Sequence, residues 1–336
     1  MSGKLNTLLR LALRQRQKFH FVAHNRNHVR IFDDVYHEIK RLGFRADFYV
    51  PLTFPHSNQA VEELGKRQRK WLTLDKLRET AKSGDVAVVA ISLAPSKLVD
   101  AITQFDRTGV QTVGVIEGAR FEKPGNFGNV RHVFVWGKSG ADLFAQHTYV
   151  TGAPTIEAMA GTAPPANPEG AVINYKFTWS DPDQDRNRQW LNAAVQACQS
   201  CGLIPVISRH PAMESDPSGV DVSSENIETL IQKNAVLISR PSSTIYQALM
   251  AGRQPFLFLT GAETLYEFSA PMGAFPTAQT KGALQRQLRD WVDGTSTYAS
   301  KRFLSYHVSI DPKQPAALRI ARALAHVSTL RNSDHR

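Results

Sequence analysis

The stretch Phe19-His20-Phe21-Val22-Ala23-His24-Asn25-Arg26-Asn27-His28 is a short, mostly apolar run followed by five polar residues. Beyond it, Ile31, Phe32, Val35 and Ile39 recur at helical spacing in a segment from about Val29 to Leu42, and Gly43 stops that helix. Ala46-to-Val50 then reads as a second strand. Strand, polar loop, amphipathic helix and strand in that order are one βαβ unit of a parallel sheet.

The alternation continues outward. Asp85-to-Ile91 and Val110-to-Ile116 are expected to be buried strands, followed by His132-to-Trp136 and Thr148-to-Thr151. Gly161-to-Gly170 is rich in Pro, Gly and Ala, has no apolar period, and reads as a linker. A second alternating half follows, with strands at Ala171–Asn174, Leu203–Ile207, Ala235–Ser239 and Pro255–Leu259. Its helices are expected at Asp185–Cys201, Ile227–Lys233 and Ser243–Ala251. The fold class is α/β, with two Rossmann-like domains facing a cleft. The first spans residues 1–160 and the second 171–336, and ligands in such sheets sit outside the carboxyl ends of the strands. The final helix, Leu318 to Leu330, belongs to the second domain or packs back on the first.

Composition agrees with a globular chain of this size. The 336 residues are 42% hydrophobic and 21% charged, which excludes a disordered or collagen-like protein. No run approaches the roughly 18–20 apolar residues of a membrane span. Lys4 to Lys18 interleaves Arg with Leu and carries no secretory signal, so a cytoplasmic location is expected. Leu5, Leu8, Leu9 and Ala12 in that segment lie at helical spacing, suited to a membrane surface or to the domain's own core.

Net charge is +10, and residues 1–80 supply +8 of it, with 16 Lys and Arg against 8 Asp and Glu. Lys66-Arg67-Gln68-Arg69-Lys70 is the densest cluster. An anionic acceptor or an acidic membrane surface, at the inner face of the cell membrane, accounts for such a bias. Nucleic acid is not expected as a partner, because no helix-turn-helix, zinc-finger or RNP signature accompanies the charge. Cys198 and Cys201 form a lone CxxC at a helix end before Gly202, which supplies too few ligands for zinc. Asp181-Pro182-Asp183-Gln184-Asp185 contains an Asp-x-Asp pair but precedes a helix, where acidic residues complement the dipole. No metal and no cofactor is expected.

The segment from Ile238 to Phe256 holds a different signal. A strand ends at Ser239, and Arg240-Pro241-Ser242-Ser243-Thr244 leads into a helix, placing hydroxyls where a helix N-terminus attracts phosphate. A Ser/Thr N-cap would look the same. Ser208-Arg209-His210-Pro211 ends another strand of the same half, and both Arg209 and His210 can donate to a phosphate.

Thr151-Gly152-Ala153-Pro154, then Arg209-His210-Pro211, then Ser242-Ser243-Thr244 with Ala248 and Ala251-Gly252-Arg253-Gln254-Pro255, follow an order that resembles the GT-B superfamily. Within it, the chain is similar to bacterial surface-polysaccharide glycosyltransferases and CDP-glycerol glycerophosphotransferases. More distantly, it resembles the non-hydrolysing UDP-N-acetylglucosamine 2-epimerases. The resemblance covers roughly residues 19–330 and implies a transferase acting in cell-envelope or capsule synthesis. It further implies that residues 171–336 hold the nucleotide donor and residues 1–160 the acceptor; His210 would contact donor phosphates, with Ser242, Ser243 and Thr244 cradling them. Gln247 stands where many relatives carry Glu toward the donor ribose, so the contact is uncharged here.

Glu117, in Gly114-Val115-Ile116-Glu117-Gly118-Ala119-Arg120, ends a strand and resembles a segment of the epimerases. Either Glu117 or His24 could take the acceptor proton. The alternatives are an ion pair of Glu117 with Arg120, and a merely polar loop for His24 and His28. Epimerase activity is not expected, because Ser92-Leu93-Ala94-Pro95 replaces that family's Gly-Asp-Thr. Transfer of a sugar and transfer of a glycerol- or sugar-phosphate both fit, as does a non-catalytic nucleotide-sugar-binding module.

Overall fold

The computed structural model describes residues 17–91, 109–118, 130–141, 143–144, 147–175, 184–209, 221–260, 274–296, 298 and 300–330. These form two compact units. The first comprises residues 1–155 and 307–336, the second residues 156–306.

The first unit is built on a parallel sheet of seven strands in the order β3-β2-β1-β4-β5-β6-β7. The strands are β1 (Lys18–Val22), β2 (Arg45–Val50), β3 (Trp71–Thr73), β4 (Val86–Ile91), β5 (Gln111–Ile116), β6 (His132–Val135) and β7 (His147–Val150). Every residue of β4, Val-Ala-Val-Val-Ala-Ile, is buried. An unbroken apolar run is what a strand covered on both faces requires. Among its helices are α1 (Arg26–Arg41), α2 (Ser57–Lys66) and α3 (Leu74–Thr80). Phe32, Val35 and Ile39 of α1 share a core with Phe19 and Phe21 of β1 and Val88 of β4.

The second unit repeats the plan with six parallel strands in the order β10-β9-β8-β11-β12-β13. These are β8 (Asn167–Tyr175), β9 (Ile204–Arg209), β10 (Val222–Ser223), β11 (Asn234–Ser239), β12 (Gln254–Phe258) and β13 (Thr277–Ala278). Its helices are α4 (Gln184–Gln199), α5 (Ile227–Lys233), α6 (Thr244–Met250), α7 (Lys281–Val292) and most of α8 (Ser300–His307). Trp190 is buried against Phe258 and donates its indole N–H to the Phe258 carbonyl at 3.0 Å. Both sheets have the doubly wound order, in which strand direction of travel reverses once: between β1 and β4, and between β8 and β11.

Two expectations differ from the structure, and for the last helix the structure selects one of the two alternatives. The segment read as a linker, 161–170, already contains the start of β8 at Asn167. Side chains hold that start: Asn167 Nδ2 donates to Asn234 Oδ1 at 3.0 Å, and Asn234 Nδ2 to the Leu230 carbonyl at 2.7 Å. Gly170 lies beneath this bridge, where a Cβ would come within 1.9 Å of Asn234 Oδ1, so its glycine is packing and not flexibility. The last helix, α9 (Ala316–Val327), packs on α1 through Ile320, Ala321 and Leu324, and residues from His307 onward belong to the first unit. The helix of the CxxC ends at Gln199, two residues short of Cys201. Both cysteines are free thiols, and burial pushes Cys198 up to about 12, so it is a core residue. Leu5, Leu8, Leu9 and Ala12 lie outside the described residues.

Candidate functional site

In a doubly wound sheet, ligands bind outside the carboxyl ends of the strands at the point of reversal. In the first unit that point is bounded by the ends of β1 and β4, with β5 next to β4. β1 leads into His24 and β5 into Glu117. The polar stretch after β1 is shorter than expected, because Asn25 caps α1 by accepting from the His28 N–H at 2.9 Å. His28 therefore sits in the first turn of α1 and not in a loop.

Its ring is 1% exposed, and His28 Nε2–H donates to Glu117 Oε2. The His24 ring packs edge-on against that of His28, with centroids 4.2 Å apart and planes at 82°. Asn25 Nδ2–H donates to His24 Nε2 at 3.4 Å, and the Nδ1 atoms of both rings are buried without a hydrogen-bond partner. Burial, reinforced by the neighbouring His28, lowers His24 to about 4, so it is neutral at physiological pH. The structure thus brings together His24 and Glu117, and adds His28 between them. Glu117 bonds to His28, and Arg120, the other partner expected for it, lies outside the described residues. A signal for His28 was present: His28, Phe32, Val35 and Ile39 fall on one helical face, the buried one.

The basic cluster that follows α2 is occupied within the unit. Arg67 donates to Asp33 at 2.9 Å and to Glu63 at 3.0 Å, and Arg69 donates to Asp33 at 2.6 Å. Asp33 and Glu63 are both buried. Burial would raise the Asp33 carboxyl, but the bonds from Arg69 and Arg67 outweigh it and hold it below its ordinary value. Lys66 pairs with Glu62 at 2.6 Å. The expectation that this cluster faces a partner is corrected for Arg67 and Arg69, whose charges neutralise buried carboxylates.

In the second unit, the reversal lies between β8 and β11. Asn174, near the end of β8, is buried and donates through Nδ2 to Ser239 Oγ and to Thr244 Oγ1, both at 3.0 Å. Ser239 Oγ donates to the Arg240 carbonyl at 2.6 Å. One amide thus ties the end of β11 to the start of α6 and fixes the turn carrying Arg240, Ser242, Ser243 and Thr244. Sequence reasoning gave Asn174 no role, since a polar residue at a strand end carries no periodic signal.

Ser242 is buried, and its Oγ accepts from the Thr244 N–H at 3.4 Å. Ser243 occupies the cap position but in helical conformation, and its hydroxyl makes no capping bond. Gln247 is buried on α6. Arg253, within the motif after α6, is structural. Gly252 turns the chain at φ +70°, and Arg253 donates to the Ile231, Gln232 and Ala163 carbonyls at 3.1, 2.7 and 2.6 Å. Arg209 ends β9 beside Tyr175 of β8. His210 lies outside the described residues, as do Ser92–Pro95 and Asp181–Asp183. Asp185, in the first turn of α4, pairs with Arg188 at 2.9 Å. Among the described residues, no group of three metal-ligating side chains could hold an ion, and no helix is long and apolar enough to cross a membrane.

No protein-family model matches the sequence, and no curated protein matches it. Solved structures do match. The UDP-GlcNAc 2-epimerase from Neisseria meningitidis bound to UDP-GlcNAc superimposes with a TM-score of 0.63 at 11% identity, over 92% of this chain and 99% of that one. The spinosyn forosaminyltransferase SpnP gives 0.60 at 13% identity, over 94% and 99%. The wall teichoic acid polymerase TagF gives 0.55 at 10% identity, over 98% of both chains. Two parallel, doubly wound sheets in one chain, shared with these proteins over nearly their whole lengths, give this protein the GT-B fold.

Proposed function

We propose that this chain is a glycosyltransferase that moves a sugar from a nucleotide-activated donor to a polysaccharide or lipid-linked acceptor in bacterial surface-glycan synthesis. The observation that carries the proposal is the His24–His28–Glu117 group at the carboxyl ends of β1 and β5. Neutral His24 and the Glu117 carboxylate are the two candidate bases at neutral pH. Buried His28 donates its Nε2–H to the carboxylate and so orients it.

In the proposed reaction the acceptor O–H loses its proton to Glu117 or His24 while its oxygen attacks the donor carbon. The donor C–O bond breaks, and its electron pair leaves with the nucleotide phosphate. Negative charge develops on that phosphate and is assigned to Arg209, His210 and Arg240 with the Ser242, Ser243 and Thr244 hydroxyls. Gln247 is assigned to a donor hydroxyl. With these cations and hydroxyls the transfer is proposed to proceed without an obligatory metal, in the cytoplasm or at the inner membrane face. The likeness to TagF over 98% of both chains supports a second reading, in which the same base directs a hydroxyl onto phosphorus and a glycerol- or sugar-phosphate is transferred.

Glu117→Gln and His24→Ala test the proposal. The variant that removes the base should lower transfer about a hundredfold or more while nucleotide binding persists. Undiminished transfer by both overturns it. Release of nucleoside monophosphate with a phosphodiester product would select the second reading.

A further inference from the structure

Asn25 stands between two of the three side chains of the candidate site, one residue after His24 and three before His28. It caps α1 in an extended conformation, φ −149° and ψ 172°, which turns its side chain back onto the first turn of the helix. The His28 N–H can only donate, so the amide atom 2.9 Å from it is the oxygen. That bond settles which end of the amide is which. The other end, Nδ2, can only donate, and it lies 3.4 Å from His24 Nε2.

His24 Nε2 therefore accepts, and an imidazole nitrogen that accepts carries no proton. The ring is then neutral, with its one proton on Nδ1. Burial, with His28 beside it, favours the same neutral ring and holds His24 down at about 4. The titratable groups facing it are His28 of α1, Glu117 after β5 and His56 before α2. In His28 the proton is on Nε2, which donates to Glu117. Aspartate would cap the helix as well as asparagine does, but it has no proton to give to His24.

We infer that Asn25 is a positioning residue of this site: its amide oxygen fixes the turn that aims His28 at Glu117, and its amide nitrogen fixes the His24 proton on Nδ1. His24 is thereby left with no uncommitted basic nitrogen, one being protonated and the other bonded to Asn25. Of the two candidate bases, Glu117 is the one that acts. It takes the proton released as the acceptor oxygen bonds to the donor carbon and the nucleotide phosphate departs with its electron pair. The assignment of the base rests on the transferase reading; the tautomer does not.

The test compares the full chain with Asn25→Asp and Asn25→Ala by NMR of isotopically labelled histidine rings. At pH 7 wild-type His24 should show its proton on Nδ1. Asn25→Asp retains the cap, so its melting temperature should stay close to that of wild type, yet its carboxylate accepts where the amide donated. In that variant His24 should carry its proton on Nε2 and titrate at higher pH than in wild type. Asn25→Ala loses the cap as well and should melt lower. A wild-type His24 with its proton on Nε2, or the same tautomer in wild type and Asn25→Asp, overturns the role of Asn25. For the base, Glu117→Gln should lower transfer about tenfold more than His24→Ala does. An equal or larger loss in His24→Ala overturns the assignment of the base and retains the tautomer. The expected tautomers in a protein without transfer activity would retain the role of Asn25 and reject the transferase reading.

Discussion

The two units present the same sheet order and unlike chemistry at its point of reversal. Around β1, β4 and β5 stand His24, His28 and Glu117, all titratable, with two ring nitrogens unpaired. Around β8 and β11 stand Asn174, Ser239 and Thr244, which are uncharged and bonded to one another. The first arrangement can take up or relay a proton. The second holds a turn in one shape across the whole physiological pH range. One fold used twice carries titratable groups at one reversal and uncharged, mutually bonded groups at the other, and histidine follows the division. Of the eleven histidines only His210 falls in the second unit.

Acid should separate the units most strongly. Burial, first, and neighbouring positive charge, second, lower both His24 and His132 to about 4, against an ordinary value of 6.5. The unfolded first unit therefore binds protons that the native unit refuses as pH falls from about 6.5 toward 4. Stability contributed by the neutral rings is present above that window and is lost within it. A loss of roughly 1–3 kcal/mol is expected, reduced by solvent screening at His132. Hydrogen exchange at pH 7 and pH 4.5 should show protection falling in β1, β6 and α1 before β8 and β11. Equal loss in both units would break the contrast.

Asn174→Leu attacks the other side of it. The change removes the donor shared by Ser239 and Thr244 and should cost about 1–3 kcal/mol. If the turn binds donor phosphate, nucleotide affinity should fall about tenfold, while the His24 and His28 titrations stay as in wild type. A variant that binds nucleotide normally would show that the turn's shape is not what the donor recognises.

How much of this arrangement could be read in advance follows from what kind of interaction holds each part. Buried parallel strands such as Val86–Ile91 are continuous apolar runs, and α1 declares itself through Ile31, Phe32, Val35 and Ile39. β3 (Trp71–Thr73) is three residues long and owes its form to pairing with β2 at a sheet edge, and α3 spans only seven residues. Glu117 and His24 stand just past strand ends, positions that the alternation of strands and helices already marks. Contacts between distant positions carry no such mark: His28 with Glu117 lies 89 residues apart, Asn174 with Thr244 lies 70, and Arg67 with Asp33 lies 34. The same distance effect hides the role of Arg67 and Arg69 in Lys66–Lys70, since both bond to Asp33, 34 and 36 residues away.

The smallest effect is the most discriminating one. Ser243 occupies the cap position of α6, yet its hydroxyl satisfies no backbone N–H. Asn226 and Thr280 do cap their helices, with bonds of 2.8 and 3.2 Å, and truncating either should cost about 1 kcal/mol. Ser243→Ala should instead leave stability within about 0.5 kcal/mol of wild type, because no capping bond is lost. With the stability term removed, any loss of nucleotide affinity in Ser243→Ala measures a contact to ligand alone. Affinity unchanged by this variant, together with a reduced affinity in Asn174→Leu, would shift phosphate recognition from the Ser243 hydroxyl to the turn's backbone.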